Sequence, residues 1–207
     1  MTKYKFEIHD NFIDVEIKNK IIDLIKNENS ESILSKMSKK IVLEYIDIVV
    51  KSKFLYLFTL KDDANIIAYA LLSKKPKYLL SEFSQLKIKI FFDLIFKFKF
   101  ITFINLLLTF MQIDILKLNK SAIKLVSENP NLNLIAVKNQ FQSKGIGSLF
   151  MVNIVNYFKK IKDVEYITCE TYRENAIRFY TEKCGFEVFG KKIRIFKNLI
   201  ILKLKIK

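Results

Sequence analysis

The chain of 207 residues is 51% apolar and 28% charged. This balance is typical of a globular protein and excludes an intrinsically disordered one. Its length supports one large hydrophobic core but not two comfortable ones, so we expect a single domain over residues 1–207. The net charge of +15 favours an anionic partner: a phosphorylated small molecule, a nucleic acid or a membrane surface. Because Arg is rare and unclustered, the sequence argues against a surface that reads nucleic-acid phosphates.

The cysteine content and the first residues of the chain indicate the cellular compartment that we expect for it. There are two cysteines, no apolar signal segment follows Met1, and the start is rich in Lys, so we expect a cytoplasmic, reducing location. Cys169 and Cys184 are predicted to be small buried apolar residues. No Cys, His and Asp residues have the spacing of metal ligands, so no metal is predicted.

The first part of the chain predicts two amphipathic helices and a hairpin. Apolar residues recur every three or four positions over residues 15–26 and 33–50, as on the buried face of a helix. Short runs rich in β-formers cover residues 54–60 and 66–73. The polar segment 61–65 between them has the composition of a turn.

The last third predicts alternating strands and helices. The predicted elements are, in chain order, a strand over 132–137, a helix over 146–161, a strand over 164–169, a helix ending near residue 183, and strands over 186–189 and 193–204 around a turn at 190–192. Together with the hairpin, these elements predict an α/β (α+β) fold, in which a mixed, mostly antiparallel sheet is flanked by helices.

A glycine-containing loop lies between the strand at 132–137 and the helix that follows it. It reads Gln142-Ser143-Lys144-Gly145-Ile146-Gly147. The first amides of a helix have no intrahelical partner and carry the positive end of the helix dipole, and glycines let an anion approach the backbone closely. Phe150 stands where a dinucleotide fingerprint has its third glycine, and no Gly-Lys-Ser/Thr is present, so the two commonest phosphate loops are excluded.

A second motif follows about thirty residues later, as Asn175-Ala176-Ile177-Arg178-Phe179-Tyr180 and then Cys184-Gly185-Phe186. In this order and at this spacing, the two motifs resemble those of the GNAT acetyltransferase superfamily. That family has a Gln/Arg-x-x-Gly-x-Gly/Ala loop, and its next helix typically ends in Phe/Leu-Tyr, closely followed by Gly-Phe. The resemblance covers about three quarters of the chain and implies the GNAT fold, with acetyl-CoA as the acetyl donor.

The resemblance also implies how acetyl-CoA is held. Backbone amides of the loop would bind its pyrophosphate, and the residues concerned are Gln142, Ser143, Lys144, Gly145, Ile146, Gly147 and Ser148. The pantetheine arm would lie along the fourth strand as an additional strand, contacting the main chain of Ile135, Ala136 and Val137. An amide near Val137 would polarise the thioester carbonyl in the manner of an oxyanion hole.

Two aromatic residues and an asparagine complete the implied cofactor site. Tyr180 matches the family tyrosine that protonates the departing thiolate, and Phe179 is placed beside it; alternatively, Tyr180 only packs with Phe179 against the sheet. Asn175 resembles an asparagine that contacts the pantetheine arm. That asparagine commonly lies seven residues before the tyrosine, where this chain has Arg173. Either the loop is two residues shorter here, or Asn175 is the N-cap of its helix.

The general base is the remaining catalytic role. Glu170 ends the fifth predicted strand, a place where some GNAT enzymes carry a catalytic glutamate. The alternative is that Glu170 is a solvent-exposed carboxylate and that water removes the proton of the amine. His9, the one histidine, lies in a polar stretch and is predicted to be a surface residue.

Residues 76–130 have no counterpart in the family plan and are predicted to be a hydrophobic, helical insertion. The apolar run 88–110 is interrupted by Asp93, Lys97, Lys99 and Asn105, and is too short between them for the ~20 residues that span a membrane. Three interpretations stay open: a cap over the acceptor site, a homodimer surface, or an amphipathic element in peripheral contact with a membrane.

We therefore expect an N-acetyltransferase in which a bound primary amine attacks the thioester of acetyl-CoA directly. The long insertion resembles that of GNAT chains that act on amino sugars, which makes an amino sugar the expected acceptor. The net positive charge would favour an anionic, nucleotide-linked amino sugar over a polyamine, provided that the charge lines the cleft. Ribosomal-protein, protein N-terminal and polyamine acetylation remain open. The alternative is a non-catalytic acyl-CoA-binding or membrane-peripheral module, against which the intact loop and Tyr180 argue.

Overall fold

The structure, a computed structural model, describes residues 4–96, 120–194 and 197–207. Within them, seven strands form one sheet in the order β1-β2-β3-β4-β5-β7-β6. Neighbouring strands are antiparallel except for β4 and β5, which are parallel. The strands are Tyr4–His9 (β1), Leu55–Asp62 (β2), Asn65–Ser73 (β3), Asn131–Val137 (β4), Tyr166–Thr171 (β5), Glu187–Arg194 (β6) and Lys197–Lys205 (β7).

Helices cover both faces of this sheet, and the mixed, mostly antiparallel architecture confirms the predicted fold class. The helices are Val15–Glu28 (α1), Ile33–Lys36 (α2), Lys39–Lys51 (α3), Leu79–Glu82 (α4), Lys87–Phe96 (α5), Lys120–Glu128 (α6), Ile146–Lys159 (α7) and Glu174–Arg178 (α8). Single 3₁₀ turns lie at Pro76–Tyr78, Ser84–Leu86 and Asn139–Phe141, and a π-helical turn follows α8 at Phe179–Lys183.

The predicted helix at 33–50 is interrupted between α2 and α3. Met37 and Ser38 both have extended backbones, with ψ angles of 161° and 152°. The amide of Ser38 donates to Asp93 Oδ2 at 2.9 Å, so a side chain of α5 accepts a proton that a continuous helix would use internally. The apolar periodicity continues through the break because the apolar residues of both helices pack into the same core layer.

Strand β1 was missed at the sequence level. Its residues alternate in type, with Tyr4, Phe6 and Ile8 packing against the core on one face, which is the period of a half-buried strand. His9 lies in this strand and is half-buried, with Nε2 at 2.8 Å from Thr59 Oγ1, so its prediction as a surface residue was wrong. Burial lowers the pKa of His9.

The final hairpin also differs from its prediction. Gly190, Lys191 and Lys192 do not form the turn but lie inside β6, paired with β7. Phe189 is an additional residue between Val188 and Gly190, so β6 carries a β-bulge there. The glycine therefore follows a bulge within the strand, which a local composition signal cannot distinguish from a turn.

Alternation along the strands divides the core into two layers. On β2, Leu57 faces α1, α2 and α3, whereas Phe58 faces α7 on the opposite side of the sheet. Both side chains are fully buried. The first layer is centred on Ile21, Ile25, Ile46, Leu57 and Tyr69, and the second on Phe58, Phe150, Ile154, Phe158 and Leu202. Tyr180 and Cys169 belong to the second layer.

The described parts of the predicted insertion are helical and lie on the first face. Phe83, Leu86 and Ile90 join the α1–α3 layer, and the ring of Phe83 stacks on Tyr45 with 4.3 Å between centroids. At the other end, Ala122 and Val126 of α6 pack on Ile201 of β7. Residues 97–119, which include Lys97, Lys99 and Asn105, lie outside the described residues. The homodimer and membrane interpretations of the insertion stay predictions.

Strands β4 and β5 pair only at one end. Their register joins Asn131 to Thr168 and Leu132 to Cys169, and the pairing stops there. Asn133 is an additional residue on β4 relative to β3, and such a bulge bends its strand. The rest of β4 therefore diverges from β5 and leaves an opening in the sheet.

Thr168 closes the paired end of this opening. Its buried hydroxyl donates to Pro130 O at 3.1 Å and accepts from Asn131 Nδ2 at 3.0 Å. Replacing Thr168 by Val should lower the free energy of unfolding by about 1–3 kcal/mol, because it removes two hydrogen bonds and leaves the Asn131 side-chain amide without this acceptor, while Pro130 O still accepts from the backbone N–H of residue 168 at 2.8 Å. Urea denaturation measures the difference. Thr168→Ser, which keeps the hydroxyl, should lose clearly less, and equal losses in the two variants would contradict this account.

Candidate active site

The backbone pattern of β4 decides which of its peptide groups face the opening. Lys138 N–H donates to Ile67 O at 2.8 Å across from β3. Residues of an antiparallel pair alternate between pointing their peptide groups at the partner strand and pointing them away. In the observed register, Leu134 and Ala136 therefore bond to β3, while Ile135 and Val137 direct their N–H and C=O groups towards β5. Since β5 has diverged here, these groups face the opening.

The two carbonyls that face the opening accept hydrogen bonds from side chains outside β4. Gln142 Nε2 donates to Val137 O at 2.8 Å, and Asn29 Nδ2 approaches Ile135 O at 3.4 Å. Within the described part of the chain, no group accepts from the N–H of Ile135 or Val137 across the opening. These two donors are separated by two residues, or about 7 Å along the strand. Of the three residues predicted to offer main-chain contacts to the ligand, Ile135 and Val137 direct their N–H groups into the opening, whereas Ala136 directs its N–H to β3.

The loop after β4 reaches helix α7 through two residues with positive φ, Ser143 at 60° and Gly145 at 76°. The first i→i−4 bond of α7 joins Leu149 N–H to Gly145 O at 3.0 Å. No side chain caps the helix, and its first turn carries no acidic residue. The amides of Ile146, Gly147 and Ser148 precede that bond and are available to an anion. Gln142, Ser143 and Lys144 are exposed beside them.

The two glycines of the loop have different roles. A Cβ on Gly145 would meet nothing within 4 Å, so this residue is needed for its backbone angle and lies beside open space. A Cβ on Gly147 would lie 3.1 Å from Cε2 of Phe179 and 3.8 Å from Val137 Cγ2. The absence of a side chain at Gly147 therefore lets the Phe179 ring pack directly against the start of α7.

Tyr180 follows Phe179 in the π-helical turn and is almost fully buried, at 6% exposure. Its ring packs against Phe179 and Phe186, with centroids 5.3 and 5.2 Å away. Burial, and to a smaller extent the neighbouring thiols of Cys169 and Cys184, raise the pKa of Tyr180 well above its usual value. The phenol is therefore protonated throughout the neutral range, as a proton donor must be.

Glu170 lies on the opposite face of the sheet from Tyr180. Residues directly opposite in a strand pair share a face, and Glu170 pairs with Ile201, which packs against α6. Cys169, the neighbour of Glu170, points to the Tyr180 side. The Glu170 carboxylate forms an ion pair with Lys192, with 3.6 Å between Oε1 and Nζ, and both side chains are largely buried. Its assignment as a general base stays a prediction.

Asn175 is not the N-cap of its helix, so that alternative was wrong. The N-cap position of α8 is Arg173, whose backbone is extended, and Asn175 is the second helical residue. The exposed amide of Asn175 accepts from Arg178 Nη2 at 2.8 Å through Oδ1. Its contact with the pantetheine arm remains a prediction.

The end of helix α1 contributes residues that the sequence did not single out. Glu28 accepts from the amide of Asn139 at 3.1 Å, next to the loop that follows β4. Asn29 is buried and reaches β4, as described above. Glu31 accepts from the Tyr172 hydroxyl and pairs with Arg173 at 3.0 Å, next to the end of β5. In the sequence these residues belong to a polar connection between two helices, which carries no periodic signal.

The described residues contain no group of His, Cys, Asp and Glu that could hold a metal ion. Among the helices that the structure describes, none is long and apolar enough to cross a membrane.

Comparisons with known proteins agree with this architecture. Residues 107–207 match the acetyltransferase (GNAT) domain family. A chimera of spermidine N-acetyltransferase from Vibrio cholerae shares the fold, with a TM-score of 0.60 and 13% identity over 99% of this chain and 96% of that one. A protein assigned to the GNAT acetyltransferase family from Desulfovibrio desulfuricans has a TM-score of 0.59, with 13% identity over 99% of both chains.

A GNAT acetyltransferase from Elizabethkingia anophelis, solved with acetyl-CoA bound, also shares the fold, with a TM-score of 0.53 and 12% identity over 99% of both chains. No curated protein matches the chain in sequence. Residues 107–207 thus match a GNAT acetyltransferase domain, and the described chain shares the fold of solved GNAT acetyltransferases. The GNAT domain match over residues 107–207 and the shared fold support an acetyl-CoA-dependent N-acetyltransferase.

The packing of Phe179 against Gly147 is directly testable. Gly147→Val should lower the free energy of unfolding by about 1–3 kcal/mol, because the new side chain overlaps the ring. Urea denaturation measures the loss, and Gly145→Asn serves as the control, since Asn tolerates positive φ and meets open space there. In a Phe179→Ala background, Gly147→Val should cost much less. Equal costs in both backgrounds would show that Phe179 is not the group displaced.

Proposed function

We propose that this enzyme transfers the acetyl group of acetyl-CoA to a primary amine, which attacks the thioester directly in the opening between β4 and β5. One combination of features supports the proposal: an uncapped helix N-terminus and two inward-facing amides lie at the opening, and a buried protonated tyrosine lies on the α7 face of the same sheet. These three features suit an anionic ligand that carries a reactive carbonyl and a leaving group in need of a proton.

The loop and α7 would hold the pyrophosphate. The amides of Ile146, Gly147 and Ser148 supply hydrogen bonds at the positive end of the helix dipole, and exposed Lys144 adds a positive charge. Gln142 has a different task from its neighbours. Its side chain is bonded to Val137 O and approaches Glu28, so it joins the loop to the strand.

The free amides of β4 would bind the acyl part of the ligand. Val137 N–H lies at the end of the strand next to the loop, and Ile135 N–H lies two residues deeper in the opening. A fixed amide aimed at a carbonyl stabilises the negative charge that forms when an amine attacks, which is the principle of an oxyanion hole. We assign this role to Val137 N–H, and a pantetheine contact to Ile135 N–H.

The two proton transfers of the reaction would take place on opposite faces of the sheet. Tyr180 lies on the α7 face and would protonate the departing thiolate. Glu170 lies on the face of α1 and α6, from which the amine would enter, and would accept the amine proton directly or through water. Its ion pair with Lys192 holds the carboxylate in place but competes for it, so water is the simpler acceptor of this proton.

The acceptor class is narrowed by the charges beside the opening. Glu31 is paired with Arg173, and Glu170 with Lys192, while Glu28 accepts from an amide. The described rim is therefore close to neutral, although the whole chain carries +15. An amino sugar remains our proposed acceptor, and the strongly anionic nucleotide-linked form has no support from these side chains. The described ends of the insertion lie on this face, which favours its interpretation as a cap.

Acetyl-CoA should raise the thermal stability of the chain by mass action, with about 2.7 kcal/mol expected at a hundred times the Kd. Ser148→Glu should abolish most of this shift, because a carboxylate near the first amides of α7 repels the pyrophosphate. The same substitution suits the helix, since an acid is favourable in its first turn. Thermal denaturation with and without acetyl-CoA tests both points, with Ser148→Gln as the neutral control. A wild-type chain that shows no shift at millimolar acetyl-CoA would overturn the proposed function.

Tyr180→Phe should lower kcat by about 10²- to 10⁴-fold while leaving the Kd for acetyl-CoA nearly unchanged, because only the proton donor is lost. The measurement is thiol release with a panel of amines, amino sugars included. Since its pKa is raised, ionisation of Tyr180 should not lower wild-type activity at or below pH 10, the usual tyrosine value. Unchanged turnover in Tyr180→Phe with a verified acceptor would reduce Tyr180 to a packing residue.

A further inference from the structure

Asn29 is one of the few buried polar residues in the described part of the chain, with 9% exposure, and it follows the last turn of α1. Its backbone is fully used, since its N–H donates to Ile25 O at 3.3 Å and its carbonyl accepts from Ser32 at 2.8 Å. Its side-chain nitrogen is 2.6 Å from the Tyr69 hydroxyl and 3.4 Å from Ile135 O. An amide nitrogen has two protons, and both have an acceptor here.

The position of Ile135 gives the second contact its importance. Its carbonyl faces the part of the sheet where β5 has diverged from β4. No strand therefore donates a hydrogen bond to this carbonyl. An acceptor left without a donor in such a place is costly, and a carbonyl aimed at the acyl group would oppose the charge that forms there. Asn29 supplies the donor from the α1 side.

The residues on either side of Asn29 hold it in place. Glu28 binds the loop after β4 through Asn139 N–H, and Glu31 binds Tyr172 and Arg173 after β5. The end of α1 is thus attached to both sides of the opening, with Asn29 between them. A displacement of Asn29 along β4 would have to break contacts on both sides.

We propose that Asn29 is a positioning residue for acetyl transfer, which holds the Ile135 peptide so that the free amides of β4 are aimed at the thioester carbonyl. It acts through the backbone of β4 and does not touch the ligand. This inference rests on the proposed function, because it concerns the same opening. Displacement of reacting groups by about 1 Å typically costs on the order of 10²-fold in rate, so a small rotation of this strand is sufficient to matter.

The test measures the thioester itself and requires no acceptor. The carbonyl stretching band of [1-¹³C]acetyl-CoA should move to lower frequency on binding to the wild-type chain, because an amide of β4 polarises it. Asn29→Asp, which cannot donate to Ile135 O, should lose most of this shift. The Kd for acetyl-CoA, measured by calorimetry, should change little, since the loop of α7 supplies most of the binding.

The matched control is Tyr69→Phe, which removes the other partner of the Asn29 amide but leaves the donor to Ile135 O. It should keep the wild-type band position even if it lowers the thermal midpoint. Asn29→Leu, which is uncharged and similar in size, serves if the Asp variant does not fold. A retained shift in the folded Asn29 variant, or an equal loss in Tyr69→Phe, would overturn the proposal. Failure of the wild-type chain to bind acetyl-CoA would instead overturn the proposed function, and this inference with it.

Discussion

The early end of the pairing between β4 and β5 is the constraint on which the rest of the site depends. Two residue pairs join these strands, and the bulge at Asn133 then turns β4 away. Exposed strand edges inside a sheet are costly, because their peptide groups lack partners. Here the carbonyls of Ile135 and Val137 receive side-chain amides, and the N–H groups are left for a ligand. The opening is therefore a site made mainly of backbone.

The helices extend this backbone site in two directions. Helix α7 presents its first amides beside the end of β4, and the missing side chain of Gly147 lets Phe179 pack closely on the start of this helix. On the other face, the end of α1 reaches across the opening to the loops that follow β4 and β5. In the proposed function, a donor molecule and an acceptor molecule would approach from these opposite faces and meet between the strands.

The prediction of elements from sequence succeeded where the pattern was local. The hairpin of β2 and β3, the strand β4 and helix α7 lie within a few residues of their predicted positions, because alternation and helical periodicity are properties of short segments. Strand β1 was missed although Tyr4, Phe6 and Ile8 alternate with polar and charged residues, as expected of a half-buried strand. Gly190 was assigned to a turn because a bulge and a turn use the same residue type.

The sequence by itself determined the resemblance to the GNAT family and singled out the glycine-containing loop and Tyr180, because these signals depend on residues close together in the chain. Tertiary structure alone decided that Glu170 and Tyr180 lie on opposite faces, since strand pairing sets the face of each side chain. It also decided that only Ile135 and Val137 direct amides into the opening, which follows from the register with β3. Asn29 reaches Ile135 across more than a hundred residues of chain, and no local pattern records a contact between segments so far apart.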